Sequence, residues 1–187
     1  MNKLRKVICG GQTGVDQAAL RAAKDCGLEI GGWCPPGRQS EDGVILAEFP
    51  LKETPHDRSP DAPELPRSQR TEWNVRDSDG TLVIVSREAS HPPSRGFGVA
   101  SSEAATEDIS PGTKWTMECV RRYGRPFLVC SVADPSAKDR ILKWLDTFVV
   151  KALNVAGPSQ SESPGIGERV YALLRDVFAM RQRTPAK

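Results

Sequence analysis

The chain is poor in the residues that most often move protons or bind metals. Only two histidines occur in 187 residues, His56 and His91, and both stand beside prolines. A Ser-His-Asp triad or a multi-histidine metal site has almost nothing to draw on. The five cysteines (Cys9, Cys26, Cys34, Cys119 and Cys130) are odd in number, and no two have C-x-x-C spacing. That argues against a disulfide framework or a zinc knuckle and for small buried hydrophobes in a reducing compartment. No stretch approaches the ~20 apolar residues of a membrane helix. The apolar run behind the basic segment Met1 to Lys6, Val7-Ile8-Cys9, is too short for a secretory signal. An excess of one charge is lacking too. There are 26 Lys and Arg against 24 Asp and Glu, a net charge of +2, with no basic stripe of the kind nucleic acids attract. A cytoplasmic protein without membrane or nucleic-acid partners is expected.

What is present is an alternation of strand and helix patterns. Leu4 to Cys9 reads as a short buried strand, and Val15 to Cys26 as a helix with Ala18, Ala19, Ala22 and Ala23 at helical spacing. Asp16 suits its first turn, and Gly27 its end. Leu28 to Ile30 resumes as a strand. Seven prolines between Gly31 and Arg70 exclude long regular elements, and Asp57 to Arg70 reads as an exposed loop. Thr71 to Arg76 predicts a short helix, and Thr81 to Ser86 the clearest buried strand. Helices over Thr113 to Tyr123, Ala137 to Val150 and Gly165 to Met180 alternate with strands over Pro126 to Val132 and Leu153 to Gly157. This pattern predicts an α/β fold: a doubly wound, Rossmann-like parallel sheet with helices on both faces, in a single domain over 1–180. Residues 87–110, polar and rich in Ser, Pro and Gly, read as a loop insertion, and 181–187 as a disordered tail.

Ligands of such sheets bind beyond the carboxyl ends of the strands. Three glycine-bearing loops are expected there: Gly10 to Asp16, Pro111 to Lys114 and Gly157 to Gly165. The first is the sharpest candidate. Gly10 and Gly11 permit a tight turn and close approach, and Thr13 offers a hydroxyl. The amides of Thr13, Gly14 and Val15 are expected to face outward at a helix start, where an anion gains roughly 0.3–1 kcal/mol. The loop is neither G-x-G-x-x-G nor Walker A. The competing reading is a glycine turn that only joins strand to helix. Gly112, Thr113 and Lys114 read either as a second anion contact or as a plain capped helix start. Arg70 and Arg76 are candidate phosphate clamps. Asp42, Glu72, Asn74, Asp77 and Asp79 add polar groups, with Asp77 and Asp79 explained by turns. Trp115 and Trp144 read as core. Trp33 and Trp73 read as core or as ligand-stacking platforms.

Several segments resemble the molybdenum carrier family, the molybdenum cofactor carrier proteins. They are Ile8 to Asp16, Gly31 to Arg38 with Glu41-Asp42-Gly43, Gln69 to Thr81, and Leu153 to Pro158 with Ser161 and Pro164-Gly165-Ile166. The match runs in order from about residue 7 to about residue 180. That family is similar to a Rossmann-like superfamily with cytokinin-activating phosphoribohydrolases and DNA-processing protein A. The resemblance implies that a homo-oligomer binds molybdenum cofactor, a phosphate-bearing molybdopterin, for protection and delivery to molybdoenzymes rather than turnover. Gly10, Gly11, Gln12, Thr13, Gly14 and Asp16 would surround the phosphate, helped by Arg70, Gly112, Thr113 and Lys114. Asn74 or Asp79 would meet the pterin. The chain departs from the family where a short glycine-rich turn is expected, because 87–110 stands there instead. Two alternatives remain. One is a nucleoside-monophosphate phosphoribohydrolase using Pro111-Gly112-Thr113 and Glu118. The other is a nucleotide-sensing module that uses 87–110 to bind partners.

Overall fold

A computed structural model describes residues 4–86 and 110–183. A five-stranded sheet forms its centre, built from β1 (Lys6–Ile8), β2 (Glu29–Gly31), β7 (Gly80–Val85), β8 (Phe127–Ser131) and β9 (Ala152–Ala156). The strand order is β2-β1-β9-β7-β8, and every pairing is parallel. The first and last strands therefore lie side by side in the middle, with Ile8 opposite Asn154. Five helices complete the fold: α1 (Val15–Asp25), α2 (Ser68–Arg76), α3 (Pro111–Arg122), α4 (Ala137–Phe148) and α5 (Ile166–Arg183). This is a single Rossmann-like α/β domain.

Strand residues alternate between two faces. Leu82, Ile84, Leu128, Cys130, Leu153 and Val155 join the large core beneath α1, α4 and α5. Phe127 joins the smaller cluster of Val75, Trp115, Cys119 and Val120 beneath α2 and α3. Each fully buried Leu or Ile contributes roughly 1.5–3 kcal/mol, so the larger face dominates stability. On the smaller face, Asn154 and Thr81 are buried as a hydrogen-bonded pair, Nδ2 to Oγ1 at 3.2 Å.

Helix α1 carries four fully buried alanines, which bring its backbone close to the sheet and to α5. It ends where Gly27 takes φ 71° and the Leu28 amide returns to the Ala23 carbonyl at 2.9 Å. The proline-rich segment folds into two small pairs: β3 (Trp33–Cys34) with β6 (Lys52–Glu53), and the hairpin of β4 (Gln39–Ser40) and β5 (Gly43–Val44). Arg38 ties the following loop down, with its guanidinium donating to the carbonyls of Ile45, Leu46, Phe49 and Leu51.

Two expectations shift. Helix α2 starts at Ser68, inside the stretch read as an exposed loop, and Ser68 and Gln69 are buried. The final helix runs on through Arg183, so 181–183 are not tail. Arg181 fixes that end by donating to Asp146 and to the Leu142 carbonyl, each at 2.6 Å. Residues 184–187, and the insertion apart from Ser110, lie outside the described residues.

Candidate functional site

Parallel pairing places every strand's carboxyl end on one edge. From there β1 leads by α1 outward to β2, and β7 leads by α3 outward to β8. The connections diverge on either side of β9, which is where doubly wound sheets open a crevice. The loop after β1, Gly10 to Gly14, meets the loop after β9 at this reversal.

The glycines of the first loop are required by the protein's own packing. A Cβ on Gly10 would strike the Arg70 side chain. Gly11 has φ 76° with Leu51 Cδ1 2.5 Å from a would-be Cβ. Gly14 has φ 73°, and its Cβ would lie 2.7 Å from the Pro158 carbonyl and 2.8 Å from the Gln160 nitrogen. The expectation that these positions leave room for ligand is thus corrected in part, because side chains and the neighbouring loop fill that space. The amides divide as well. Val15 donates to the Pro158 carbonyl at 3.2 Å and is not available. The Gln12 amide donates to Asp16 Oδ2 at 3.3 Å. Those of Thr13 and Gly14 have no protein acceptor among the described residues.

Asp16 is the electrostatic anchor of the loop. It is 4% exposed and takes the Arg70 guanidinium at 3.2 Å besides the Gln12 amide. Burial pushes its carboxyl up, while Arg70 and the backbone of Gln12 and Gly10 pull the other way. Arg70 keeps its Nε buried without a hydrogen-bond partner among the described residues. One turn earlier, Arg67 donates to Gln12 Oε1 at 2.8 Å, and Gln12 Nε2 donates to the Gln39 carbonyl at 2.9 Å. Two guanidiniums therefore flank the glycine loop from α2.

The opposite wall is made by residues 159–161 and the tip of the β4–β5 hairpin. The Gln160 amide donates to Thr13 Oγ1 at 3.1 Å, which turns the Thr13 hydrogen toward Glu41, and Thr13 donates to Glu41 Oε1. The same oxygen takes the Ser161 amide at 3.1 Å, and Ser161 Oγ donates to the other carboxylate oxygen. Burial works against the charge on Glu41. The Ser161 hydroxyl, the Thr13 hydroxyl, the Ser161 amide and the Ser159 hydroxyl outweigh it and hold the carboxyl at about 2. The convergence of the two central loops thus ends in a ring of donors around one anion.

Other predicted residues go elsewhere. Asn74 is 2% exposed and spends both amide atoms on Trp33, accepting from its N–H at 2.8 Å and donating to its carbonyl at 2.9 Å. Its amide is committed to fixing β3. Asp79 precedes β7, at the opposite edge of the sheet, and accepts the amides of Lys151 and Ala152 at 3.1 and 2.8 Å. It joins strands and does not reach the crevice. At α3, Ser110 is the cap that Thr113 was expected to be: it takes the Thr113 amide at 3.4 Å and lies 3.1 Å from its hydroxyl. No hydrogen bond joins Gly112, Thr113 or Lys114 to the glycine loop among the described residues. Arg76 pairs with Asp77 and covers Trp73 at 4.5 Å, and Trp73 meets Trp33 edge to face at 4.7 Å. A groove of about 340 Å³ involving α1 and α5 holds none of these residues. Its Lys24–Glu48 and Tyr171–Asp25 pairs satisfy one another.

Sequence reasoning missed Arg67, which stands at the left-handed N-cap before α2 where no local pattern marks it. It held Glu41 only as part of a family-resembling segment, and Ser159, Gln160 and Ser161 only as part of the Gly157 to Gly165 loop, and assigned none of them chemistry. Nothing local says that the hairpin tip bearing Glu41 folds back onto Thr13.

Fold and site together define a Rossmann-like domain whose central strand reversal gathers donors around one carboxylate. Residues 7–178 match the model of the circularly permutated YpsA SLOG family, and the chain belongs to that family. The neighbouring first and last strands suit a permuted chain order. The crystal structure of "Putative molybdenum carrier protein" from Syntrophus aciditrophicus SB is similar at a TM-score of 0.74 and 30% sequence identity, covering 95% of this chain and 96% of that one. No curated protein matches the sequence.

Proposed function

We propose that this protein binds molybdenum cofactor by its terminal phosphate at the crevice between Gly10–Gly14 and Ser159–Ser161, shelters it, and passes it on without chemical turnover. One observation carries the reading: Thr13 and Ser161 converge on a carboxylate beside the open amides of Thr13 and Gly14. A phosphate oxygen suits the same donors, and Arg67 supplies positive charge behind the loop, while Arg70 neutralises Asp16 there. The likeness to a protein named as a molybdenum carrier supports the choice of cargo. The carrier acts in the cytoplasm as a homo-oligomer and meets molybdoenzymes transiently.

The phosphoribohydrolase reading would rest on the Glu118 carboxylate. Glu118 is exposed on α3 and pairs with Arg122 at 3.2 Å. Incubation with molybdenum cofactor, followed by transfer to a cofactor-free molybdoenzyme, tests the proposal. Recovered enzyme activity is expected, with retention lost in Thr13→Val. Release of base from nucleoside monophosphates by the purified protein, without any cofactor retention, would replace the reading with the hydrolytic one.

A further inference from the structure

The anion position described above is already filled by the protein itself. Glu41 stands at the two-residue tip of the β4–β5 hairpin, in which Gln39 pairs with Val44 and Ser40 with Gly43. A hairpin this short has little stability of its own. Its outer residues confirm how little it buries: Val44 is 72% exposed, and Leu46 just beyond is 56% exposed. Its base is fixed by Ile45, 1% exposed in the main core, and by Arg38, which donates to the Ile45 carbonyl. The tip is held to the body by Glu41 on Thr13 and Ser161 and by the Gln12 amide group on the Gln39 carbonyl.

We infer that Glu41 is an internal stand-in for the ligand's phosphate, and that a phosphate monoester binds only as hairpin 39–44 withdraws this carboxylate from Thr13 and Ser161. The inference rests on the anion-binding reading above and adds a specificity to it. The donors are not open to any passing acid. An incoming group must outcompete a carboxylate tethered at high local concentration. A phosphate dianion brings twice the charge and three acceptor oxygens, so it can recruit the Thr13 and Gly14 amides as well as the hydroxyls. A simple carboxylate offers no more than Glu41 already does. The second acid of the loop, Glu162, is occupied by the Ser159 amide at 2.9 Å and leaves the Ser161 donors to Glu41.

The test is calorimetric titration of inorganic phosphate into the full chain and four variants. Glu41→Gln and Glu41→Ala remove the competitor. Glu48→Gln removes an equal charge from an exposed residue paired with Lys24. Thr13→Val removes a seat donor. Phosphate affinity is expected to rise about tenfold in both Glu41 variants, and by no more than about twofold in Glu48→Gln, whose effect is general and screened. In the unaltered protein, phosphate should also speed amide exchange across 39–44. A Glu41→Gln affinity equal to that of Glu48→Gln, with exchange unchanged, overturns the stand-in alone. Phosphate binding that survives Thr13→Val unchanged, or binding by no form of the protein, overturns the anion site and the stand-in together. Thermal melts without phosphate show whether each variant is folded, and Gln, which keeps the size of Glu, is the variant to read if Ala loosens the hairpin.

Discussion

Helices α1 and α3 both lead back from the carboxyl edge of the sheet, and both begin with glycine and threonine close together, yet they are finished in opposite ways. At α3 the Ser110 hydroxyl takes the Thr113 amide, and the start is closed by its own cap. At α1 no side chain among the described residues caps Gly14, and two amides have no acceptor among them. The glycines differ in the same sense. Gly14 has a left-handed backbone pressed against the 158–160 backbone, whereas a Cβ on Gly112 would meet nothing within 4 Å. A glycine and a threonine at a helix start therefore do not make an anion site. The site at α1 exists because a second loop, an arginine-bearing helix and a hairpin tip are packed onto it.

The comparison breaks most readily at Arg70. Arg70→Met would leave the Asp16 carboxylate buried without its cation, at a cost of about 3 kcal/mol near pH 7. The sign with pH follows from Asp16, whose carboxyl is already raised by burial. Without Arg70 it rises further. The folded state then takes up a proton at a higher pH than the unfolded chain does. Stability is lost as pH rises through that folded value and regained as pH falls toward the ordinary carboxylate range. Urea unfolding at pH 7 and pH 5 should show a smaller deficit at pH 5. Equal deficits would mean that Asp16 does not carry the charge assigned to it.

Gly14→Ala comes next, with a loss of about 2 kcal/mol or more. It combines a side chain at positive φ with contact against backbone that cannot step aside. Chemical denaturation measures it, and a loss below about 0.5 kcal/mol would show that the two loops are not locked together. Ser110→Ala should cost about 1 kcal/mol, the usual worth of an N-cap. It should leave phosphate affinity unchanged, because the α3 start is structural.

How far the sequence could be read depends on the range of each interaction. The alanine spacing of α1 and the apolar run of β7 are local, and both elements appear where the pattern puts them. Gly10 to Asp16 was visible for the same reason, since strand, turn and helix follow one another directly. Asn74 and Asp79 misled because a polar residue near a motif looks alike whether it meets ligand or clamps backbone. Only the pairing of Asn74 with Trp33, 41 residues away in sequence, and of Asp79 with Ala152, 73 away, tells these apart. Glu41 and Ser161 come together across 120 residues, a meeting that no local pattern announces.

The smallest effect sharpens the comparison from the other side. Gly112 lies in the first turn of α3, is exposed, has no positive φ, and a Cβ there would meet nothing within 4 Å among the described residues. Alanine there loses nothing in the folded state and narrows the conformations open to the unfolded chain. Gly112→Ala should therefore stabilise the protein by about 0.5 kcal/mol, opposite in sign to Gly14→Ala. Phosphate titration of the same variant should match the unaltered protein. A weakened phosphate affinity would instead bring the α3 start back into the ligand site, and the division between an open helix start and a capped one would fall.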